Sequence, residues 1–263
     1  MKNLQRFFSI IYSLYAFVCF LVIMLLFFPL VFIASFFGRV SGGNFIYNLC
    51  RIWADVWFSL IGIRHINIYE QPHDVSKQYI FVSNHISYLD IPVMMKAIRG
   101  QNFRILGKAE LGKIPVFGFI FRHAAVSVDR KSAEHRAKSI QVLKSIIRRK
   151  ISVFICPEGT FNETGAPLKD FYNGAFKIAI ETQTPIKPLL ILDTYDRLNY
   201  KNIFSLTPGR SRAVFLKATD TYGLTMNDVA FLKEKIYSQM KEAIIKYNAS
   251  WIKPIYIPMN RDF

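Results

Sequence analysis

The longest apolar stretch of the chain lies close to its first residue. No charged residue occurs from Phe7 to Phe37, and Lys2, Arg6 and Arg39 flank this run. About 20 apolar residues suffice to cross a bilayer, so the run is long enough to enter a membrane. It is also too long for the apolar core of a signal peptide. We therefore expect a retained membrane-anchoring segment.

A second apolar pattern follows, with a spacing of three to four residues between Asn44 and Arg64. Its apolar members are Phe45, Ile46, Leu49, Ile52, Trp53, Val56, Trp57, Leu60 and Ile61. The spacing predicts an amphipathic helix whose tryptophans suit a membrane interface. Basic residues flank both sides of the first run, so the positive-inside rule selects no orientation. We favour two shallow helices, or a bent re-entrant pair, in one leaflet over a single span, and we assign residues 1–66 to this anchor.

After residue 75, strand-like and helix-like patterns alternate. The predicted strands are Tyr79–Val82, Phe103–Leu106, Ala124–Val128, Ile151–Cys156, Ile186–Leu192 and Ala213–Ala218. The predicted helices are Asp90–Ala97, Ala133–Arg149, Phe171–Gln183 and Met226–Tyr247. This alternation predicts an α/β sheet covered by helices on both faces. No repeat or Pro/Ser-rich linker divides the segment, so residues 67–263 are interpreted as one domain.

Composition adds the expectation of anionic partners. The chain is 52% hydrophobic and carries a net charge of +16, a combination that indicates a membrane-associated protein facing lipid headgroups, phosphorylated substrates or an acidic carrier. We find no zinc spacing, helix-turn-helix pattern or aromatic RNA-binding signature, so nucleic acid is not an expected partner. The three cysteines, Cys19, Cys50 and Cys156, are unpatterned and indicate neither a disulfide framework nor a metal site.

A histidine and an aspartate follow the first predicted strand, in the segment Ser83-Asn84-His85-Ile86-Ser87-Tyr88-Leu89-Asp90. Residues five apart do not share a helix face, so we expect His85 on a loop and Asp90 in the first turn of a helix. Pro92 supports a helix start there. A carboxylate held against one imidazole nitrogen leaves the other free as a base. Taken alone, the pattern equally fits a helix-capping aspartate and an ordinary loop histidine.

Further polar residues follow the other predicted strands. Lys108 and Arg130 each come just after a strand, and two cations at one edge of a sheet can clamp a phosphate. Glu158 follows a third strand, where a carboxylate can fix a loop or orient a hydroxyl group. Each of these residues is, by itself, also consistent with a solvated loop or a simple turn. The Pro185–Pro188 segment, taken alone, indicates only an extended entry into a strand.

Together, the motifs resemble four sequence blocks of glycerolipid acyltransferases, specifically the bacterial 1-acyl-sn-glycerol-3-phosphate acyltransferases. The blocks are Asn84-His85-x4-Asp90, Lys108-x-Glu110-Leu111-x3-Pro115-x2-Gly118, Pro157-Glu158-Gly159-Thr160 and Pro185-x2-Pro188, within roughly residues 75–195. The resemblance implies an α/β fold. It would be a single acyltransferase domain with a central mixed sheet flanked by helices, preceded by the N-terminal membrane-anchoring helical segment.

The resemblance also implies a reaction. A fatty acyl group would pass from acyl-ACP or acyl-CoA to the sn-2 hydroxyl of 1-acyl-sn-glycerol 3-phosphate, giving phosphatidic acid at the cytoplasmic face of a bacterial inner membrane. His85 would be the general base and Asp90 its orienting partner, with no metal or organic cofactor. The expected partners are the acyl donor, a lysophospholipid acceptor and anionic membrane lipids.

The substrate-binding residues implied by the resemblance are Asn84, Lys108, Glu110, Arg130, Glu158, Gly159, Thr160, Lys169, Pro185 and Pro188. One position departs from the family, which usually has arginine where this chain has Phe161, and Lys169 is the candidate substitute cation. The acceptor therefore stays open between lysophosphatidic acid, lyso-ornithine lipid, another lysophospholipid and glycerol 3-phosphate. A non-catalytic basic membrane adaptor is the alternative from another class.

Overall fold

The computed structural model of the protein describes residues 2–129 and 132–253. It begins with helix α1 (Lys2–Ser35), a π-helical turn and helix α2 (Gly43–Leu60), which pack against each other as an antiparallel hairpin. The Trp57 indole N–H donates to the Ala16 carbonyl at 2.8 Å, and the Phe20 ring meets Trp57 edge-on. The Arg6–Ser35 stretch of α1 is long and apolar enough to cross a membrane.

The remaining elements alternate between strands and helices. The strands are β1 (Ile63–Tyr69), β2 (Ile80–Ser83), β3 (Phe103–Lys108), β4 (Val126–Val128), β5 (Ser152–Ile155), β6 (Ile186–Leu192) and β7 (Gly209–Phe215). The helices are α3 (Asp90–Ala97), α4 (Phe117–Ala124), α5 (Ala133–Arg148), α6 (Gly174–Thr182), α7 (Thr194–Arg197) and α8 (Val229–Lys246). Short 3-10 turns at Ala109–Lys113 and Met226–Asp228 complete the described chain.

The seven strands form one sheet in the order β1-β7-β6-β2-β5-β3-β4. Neighbouring strands are parallel except for the β6–β7 pair, which is antiparallel, so the expected mixed sheet is confirmed. The carboxyl ends of β2, β5 and β6 consequently meet at one edge, which we call the carboxyl edge. Strand β7 begins at that same edge because it runs against β6.

Apolar side chains fill both sides of the sheet. On one side Phe81 and Phe215 pack with the α1–α2 hairpin and α3, in a cluster that includes Ala16 and Phe58. On the other side, apolar residues of the sheet pack with α5, α6 and α8. Hairpin and sheet thus share one hydrophobic core, and the helices cover both faces, as the alternating pattern predicts.

Several expected boundaries are wrong, and the strand predicted at Ala213–Ala218 spans Gly209–Phe215 instead. The helix predicted to reach Arg64 ends at Leu60, because Gly62 has a left-handed φ of +60° and breaks it before β1. The expected division between residues 66 and 67 therefore falls inside a strand of the sheet. The strand predicted from Ala124 begins at Val126, since the apolar residues before it form α4. Helix α3 has the predicted bounds.

Candidate active site

The loop after β2 is attached to the neighbouring strand by Asn84. Its side-chain amide donates to the Ile191 carbonyl at 2.9 Å and accepts from the Ile191 N–H at 2.8 Å. The side chain therefore continues the β2–β6 pairing by one residue and is buried. Both of its polar groups bind the Ile191 backbone, so Asn84 fixes the start of the loop that carries His85.

The structure brings His85 and Asp90 together at the carboxyl edge. The imidazole Nδ1 lies 2.8 Å from Asp90 Oδ2, which also accepts from the N–H groups of Ile86 (2.7 Å) and Ser87 (2.9 Å). A carboxylate oxygen only accepts, so Nδ1 carries the proton and Nε2 keeps a free lone pair. The Asp90 side chain is 3% exposed and that of His85 24%, and Nε2 has no hydrogen-bond partner in the described part of the chain.

The second carboxylate oxygen of Asp90 is held by a residue that the sequence analysis missed. Thr194 is buried, and its hydroxyl donates to Asp90 Oδ1 at 2.7 Å. The hydroxyl of Ser87 donates to the Leu198 carbonyl at 2.7 Å and ties the same loop to the segment after α7. Thr194 follows a predicted strand just as His85 does, and that shared position was the available signal.

Glu158 links two loops of the site. Its Oε1 accepts from the His85 N–H and its Oε2 from the Lys169 N–H, both at 3.0 Å. The turn that contains Glu158 ends at Gly159, which has a left-handed φ of +75°. A residue with a Cβ would be strained in this conformation. The side chain is fully buried, and this burial raises the pKa of Glu158 to about 8, with the negative charge of nearby Asp90 acting in the same direction.

The expected phosphate ligands divide into two groups. The Lys169 Nζ donates to the Thr160 hydroxyl at 2.8 Å, and the backbone N–H of Lys169 shares Glu158 with His85, so this cation belongs to the site. Lys108 and Glu110 instead pair with each other at 3.3 Å and are both exposed. Arg130 lies outside the described residues.

The two expected prolines lie in the sheet. The Pro185 carbonyl accepts from the Ile80 N–H at 3.0 Å, and Pro188 is in register with Val82. Pro185 therefore stands at the start of β6, at the end of the sheet opposite His85, and Pro188 lies part of the way along it. The geometry assigns both residues to the strand framework.

Phe161 packs directly against the histidine. Its ring centroid lies 4.4 Å from that of His85 and 4.9 Å from that of Tyr88, which it meets edge-on. The Tyr200 ring stacks on Phe161, with 6.0 Å between the ring centroids. The sequence analysis singled out this position as a departure from a family pattern, but the contact with the imidazole depends on tertiary structure.

We also searched the described residues for side chains that could bind a metal ion. In residues 2–129 and 132–253, no group of three or more His, Cys, Asp or Glu side chains is placed to hold a metal ion. The chemistry that these residues can perform is proton transfer at His85 Nε2, with Asp90 fixing the ring.

Comparisons with known proteins find similar acyltransferases. A family model described as Acyltransferase matches residues 65–192. The human 1-acyl-sn-glycerol-3-phosphate acyltransferase alpha is 29% identical over 166 residues, which are 63% of this chain and 58% of that protein. A putative 1-acyl-sn-glycerol-3-phosphate acyltransferase, acl-2, of Caenorhabditis elegans is 30% identical over 182 residues, or 68% of this chain and 63% of that protein. The chain thus spans less than two thirds of the length of these relatives.

A solved structure extends the likeness to the whole fold. The crystal structure of the 1-acyl-sn-glycerophosphate acyltransferase PlsC from Thermotoga maritima superposes with a TM-score of 0.71 at 21% identity. The superposition covers 96% of this chain and 100% of that one, including the helical hairpin. The family model, for its part, covers the segment that holds His85, Asp90 and Glu158. On this evidence residues 65–192 match the acyltransferase family, and the chain as a whole has the fold of that solved structure.

Proposed function

We propose that the protein is a membrane-bound O-acyltransferase that moves a fatty acyl group from acyl-ACP or acyl-CoA to the sn-2 hydroxyl of 1-acyl-sn-glycerol 3-phosphate. The observation that carries this proposal is the His85–Asp90 pair, in which one ring nitrogen is held at 2.8 Å and the other is free. The product would be phosphatidic acid.

The reaction needs one base and no covalent enzyme intermediate. His85 Nε2 takes the proton of the acceptor hydroxyl while the hydroxyl oxygen attacks the thioester carbonyl carbon. The tetrahedral intermediate collapses with loss of the thiolate, which takes the proton back from the imidazolium. Asp90 keeps the ring in the required tautomer and stabilises its positive charge during the step.

The acceptor phosphate would bind beside Lys169 and Thr160. Lys169 Nζ donates to the Thr160 hydroxyl, and it forms no ion pair with a carboxylate among the residues of the described ranges. A cation without a carboxylate partner at the mouth of the site is free to bind an anion. Lys108 and Arg130 remain proposed contributors, Lys108 by exchanging Glu110 for the phosphate.

The helical hairpin would anchor the enzyme in one leaflet. Near its start α1 contacts the domain through Ser9, whose hydroxyl donates to the Phe204 carbonyl at 2.9 Å. Near its end α1 contacts α4 through Phe28 and Phe119, whose ring centroids are 5.5 Å apart. A helix held to the domain along its length supports anchorage in one leaflet better than a span. The net charge of +16 suits the anionic cytoplasmic face.

Phe161 favours a second candidate acceptor. An aromatic ring 4.4 Å from His85 offers an apolar wall beside the base, where it can contribute no hydrogen bond or charge to a phosphate. Acyl transfer to a lysolipid without a phosphomonoester, such as lyso-ornithine lipid, would keep the same base and the same steps.

Thioester loss measured on the purified protein in detergent tests both candidates. The donors are acyl-CoA and acyl-ACP, and the acceptors are lysophosphatidic acid, glycerol 3-phosphate, lyso-ornithine lipid and none. His85→Ala removes the base. His135→Ala is the matched control, because His135 also lies near an aspartate, with 3.7 Å between its Nδ1 and Asp129 Oδ2, but at the exposed surface.

We expect turnover that requires lysophosphatidic acid, disappears in His85→Ala and persists in His135→Ala. Turnover with lyso-ornithine lipid but not with lysophosphatidic acid would identify the phosphate-free lysolipid as the acceptor. Equal turnover in His85→Ala and the unsubstituted protein would refute the role of His85 as the general base. Thioester consumption without any acceptor would indicate a hydrolase.

A further inference from the structure

The segment between α7 and β7 exposes two apolar side chains on an ordered turn. We call residues 199–206 the α7–β7 loop, in which Ile203 is 62% exposed and Phe204 is also exposed. The loop is held by its own hydrogen bonds. The Phe204 N–H donates to the Asn202 side chain at 2.9 Å, and the Asn199 N–H to the Ser205 hydroxyl at 3.0 Å. These hydrogen bonds fix the backbone of the turn in a conformation that exposes both apolar side chains.

The same loop is attached to the first turns of α1. The Ser9 hydroxyl donates to the Phe204 carbonyl at 2.9 Å, and the Leu206 N–H donates to the Ser13 hydroxyl at 3.1 Å. The neighbouring turns of α1 expose Phe7, Phe8 and Ile11, so apolar surface continues from the helix onto the loop. A continuous exposed apolar surface marks an interaction site.

The charged residues of the α7–β7 loop and of the first turns of α1 are all basic. Residues 198–208 contain no Asp or Glu, and Lys201 is exposed two positions before Ile203, with its Nζ over the Tyr200 ring. On α1, Arg6 is exposed beside Phe7. Apolar side chains that insert between basic residues are typical of a surface that enters an anionic lipid interface.

We propose that the α7–β7 loop is a second membrane-insertion element, with Ile203 and Phe204 entering the same leaflet as α1. This proposal rests on the anchorage proposed above. A lipid surface is the occupant because the loop continues the apolar face of α1 and adds cations to it. A second copy of the chain would need a complementary partner surface. Photo-crosslinking distinguishes a lipid occupant from a second chain.

The loop also connects the membrane surface to the catalytic pair. Just before it, the Leu198 carbonyl accepts from the Ser87 hydroxyl at 2.7 Å, and Tyr200 within it stacks on Phe161. Insertion of Ile203 would therefore place the lipid interface beside the mouth of the site. An acceptor could then reach His85 from the leaflet without leaving the lipid.

Site-specific photo-crosslinking to lipid tests the contact on the full chain. Benzoylphenylalanine replaces one residue at a time in protein reconstituted into vesicles of phosphatidylethanolamine and phosphatidylglycerol with labelled acyl chains. The positions are Ile203 (62% exposed), Phe8 on α1 (60%) and Phe231 on α8 (62%), which lies on the opposite side of the sheet. The three side chains are matched in exposure, so the yield reports location.

We expect the lipid yield at Ile203 to be within about twofold of that at Phe8 and at least about fivefold above that at Phe231. A yield at Ile203 as low as at Phe231, with Phe8 labelled, would overturn the loop contact and leave the anchor intact. Crosslinks from Ile203 to a second chain in place of lipid would also overturn it. Absence of lipid labelling at Phe8 would refute the anchorage and, with it, this proposal.

Discussion

Replacing Asp90 by asparagine would remove the charge of the pair and leave its geometry almost unchanged. The backbone N–H groups of Ile86 and Ser87 are fixed donors to Oδ2, so the amide oxygen of the new side chain must face them. The amide NH₂ then faces Thr194, whose hydroxyl can accept as well as donate. The imidazole of His85 keeps an acceptor for its Nδ1–H and therefore its tautomer.

The size of the effect follows from the charge that is lost. His85 becomes an imidazolium in the transition state, and opposite charges about 4 Å apart attract by roughly 4 kcal/mol at an effective dielectric constant of about 20. Relaxation of the site reduces this attraction, so we expect kcat to fall about 100- to 1,000-fold for Asp90→Asn. KM should change by less than about threefold, because the lost interaction forms only in the transition state.

The free energy of unfolding should also fall for Asp90→Asn, but the protein should stay folded. Hydrogen bonds to a charged acceptor contribute about 1.5–3 kcal/mol and those to a neutral one about 0.5–1.5, so the variant should lose roughly 1–3 kcal/mol. For a chain of this size the Tm would fall by roughly 2–10 °C. Asp90→Ala should lower the Tm further, because it leaves the N–H groups of Ile86 and Ser87 and the hydroxyl of Thr194 without their acceptor.

The assay is steady-state thioester loss with the accepted acceptor, together with thermal unfolding of each variant. Asp220→Asn is the control, since Asp220 is an exposed aspartate that accepts one backbone N–H, from Tyr222 at 3.0 Å. It should match the unsubstituted protein in both measurements. Retention of more than about a tenth of kcat by folded Asp90→Asn would refute the role given to the Asp90 charge.

Three further changes test other parts of the site. Thr194→Val should lower kcat about tenfold because it removes the hydroxyl donor to Asp90, whereas Thr194→Ser keeps that donor and should retain kcat. An equal loss of kcat in both variants would show that Thr194 contributes packing only. Glu158 keeps its proton up to a pH of about 8 in the folded protein but releases it near 4.5 when unfolded, so folded-state stability falls as the pH rises between these values. Glu158→Gln lacks this dependence, and its Tm deficit should narrow from pH 5 to pH 8; a constant deficit would contradict the raised pKa. Phe161→Arg should raise the kcat/KM ratio of lysophosphatidic acid over a phosphate-free lysolipid about tenfold, and an unchanged ratio would place the acceptor phosphate elsewhere.

The sheet could be predicted because its signals are local. Short runs such as residues 80–82 and 189–192 are apolar throughout, as expected of strands covered on both faces. The sequence analysis missed the start of β1 for a local reason as well, because the helical spacing of α2 continues into the residues after Gly62. The left-handed glycine was the missed sign, because only its conformation separates helix from strand there.

The parts of the site differ in how far the sequence could predict them. His85 and Asp90 are five residues apart, so their contact followed from one loop and one helix start. Thr194 meets Asp90 from more than 100 residues away, and its place depends on the pairing of β6 with β2. Phe161 also contacts His85 from a distant part of the chain, so its contact with the ring could not be anticipated from spacing.

Glu158 shows why a carboxyl group can stand so near a proposed anion site. Its two oxygens fix the His85 and Lys169 loops through backbone N–H groups, a task that needs two acceptors and no charge. A full negative charge there would add to that of Asp90 and repel an acceptor phosphate held by Lys169. Burial raises the pKa of Glu158 to about 8, so near neutral pH the group is mostly uncharged. The structure thus keeps the hydrogen-bond acceptors that the two loops require and leaves Lys169 as a cation whose charge Glu158 does not cancel.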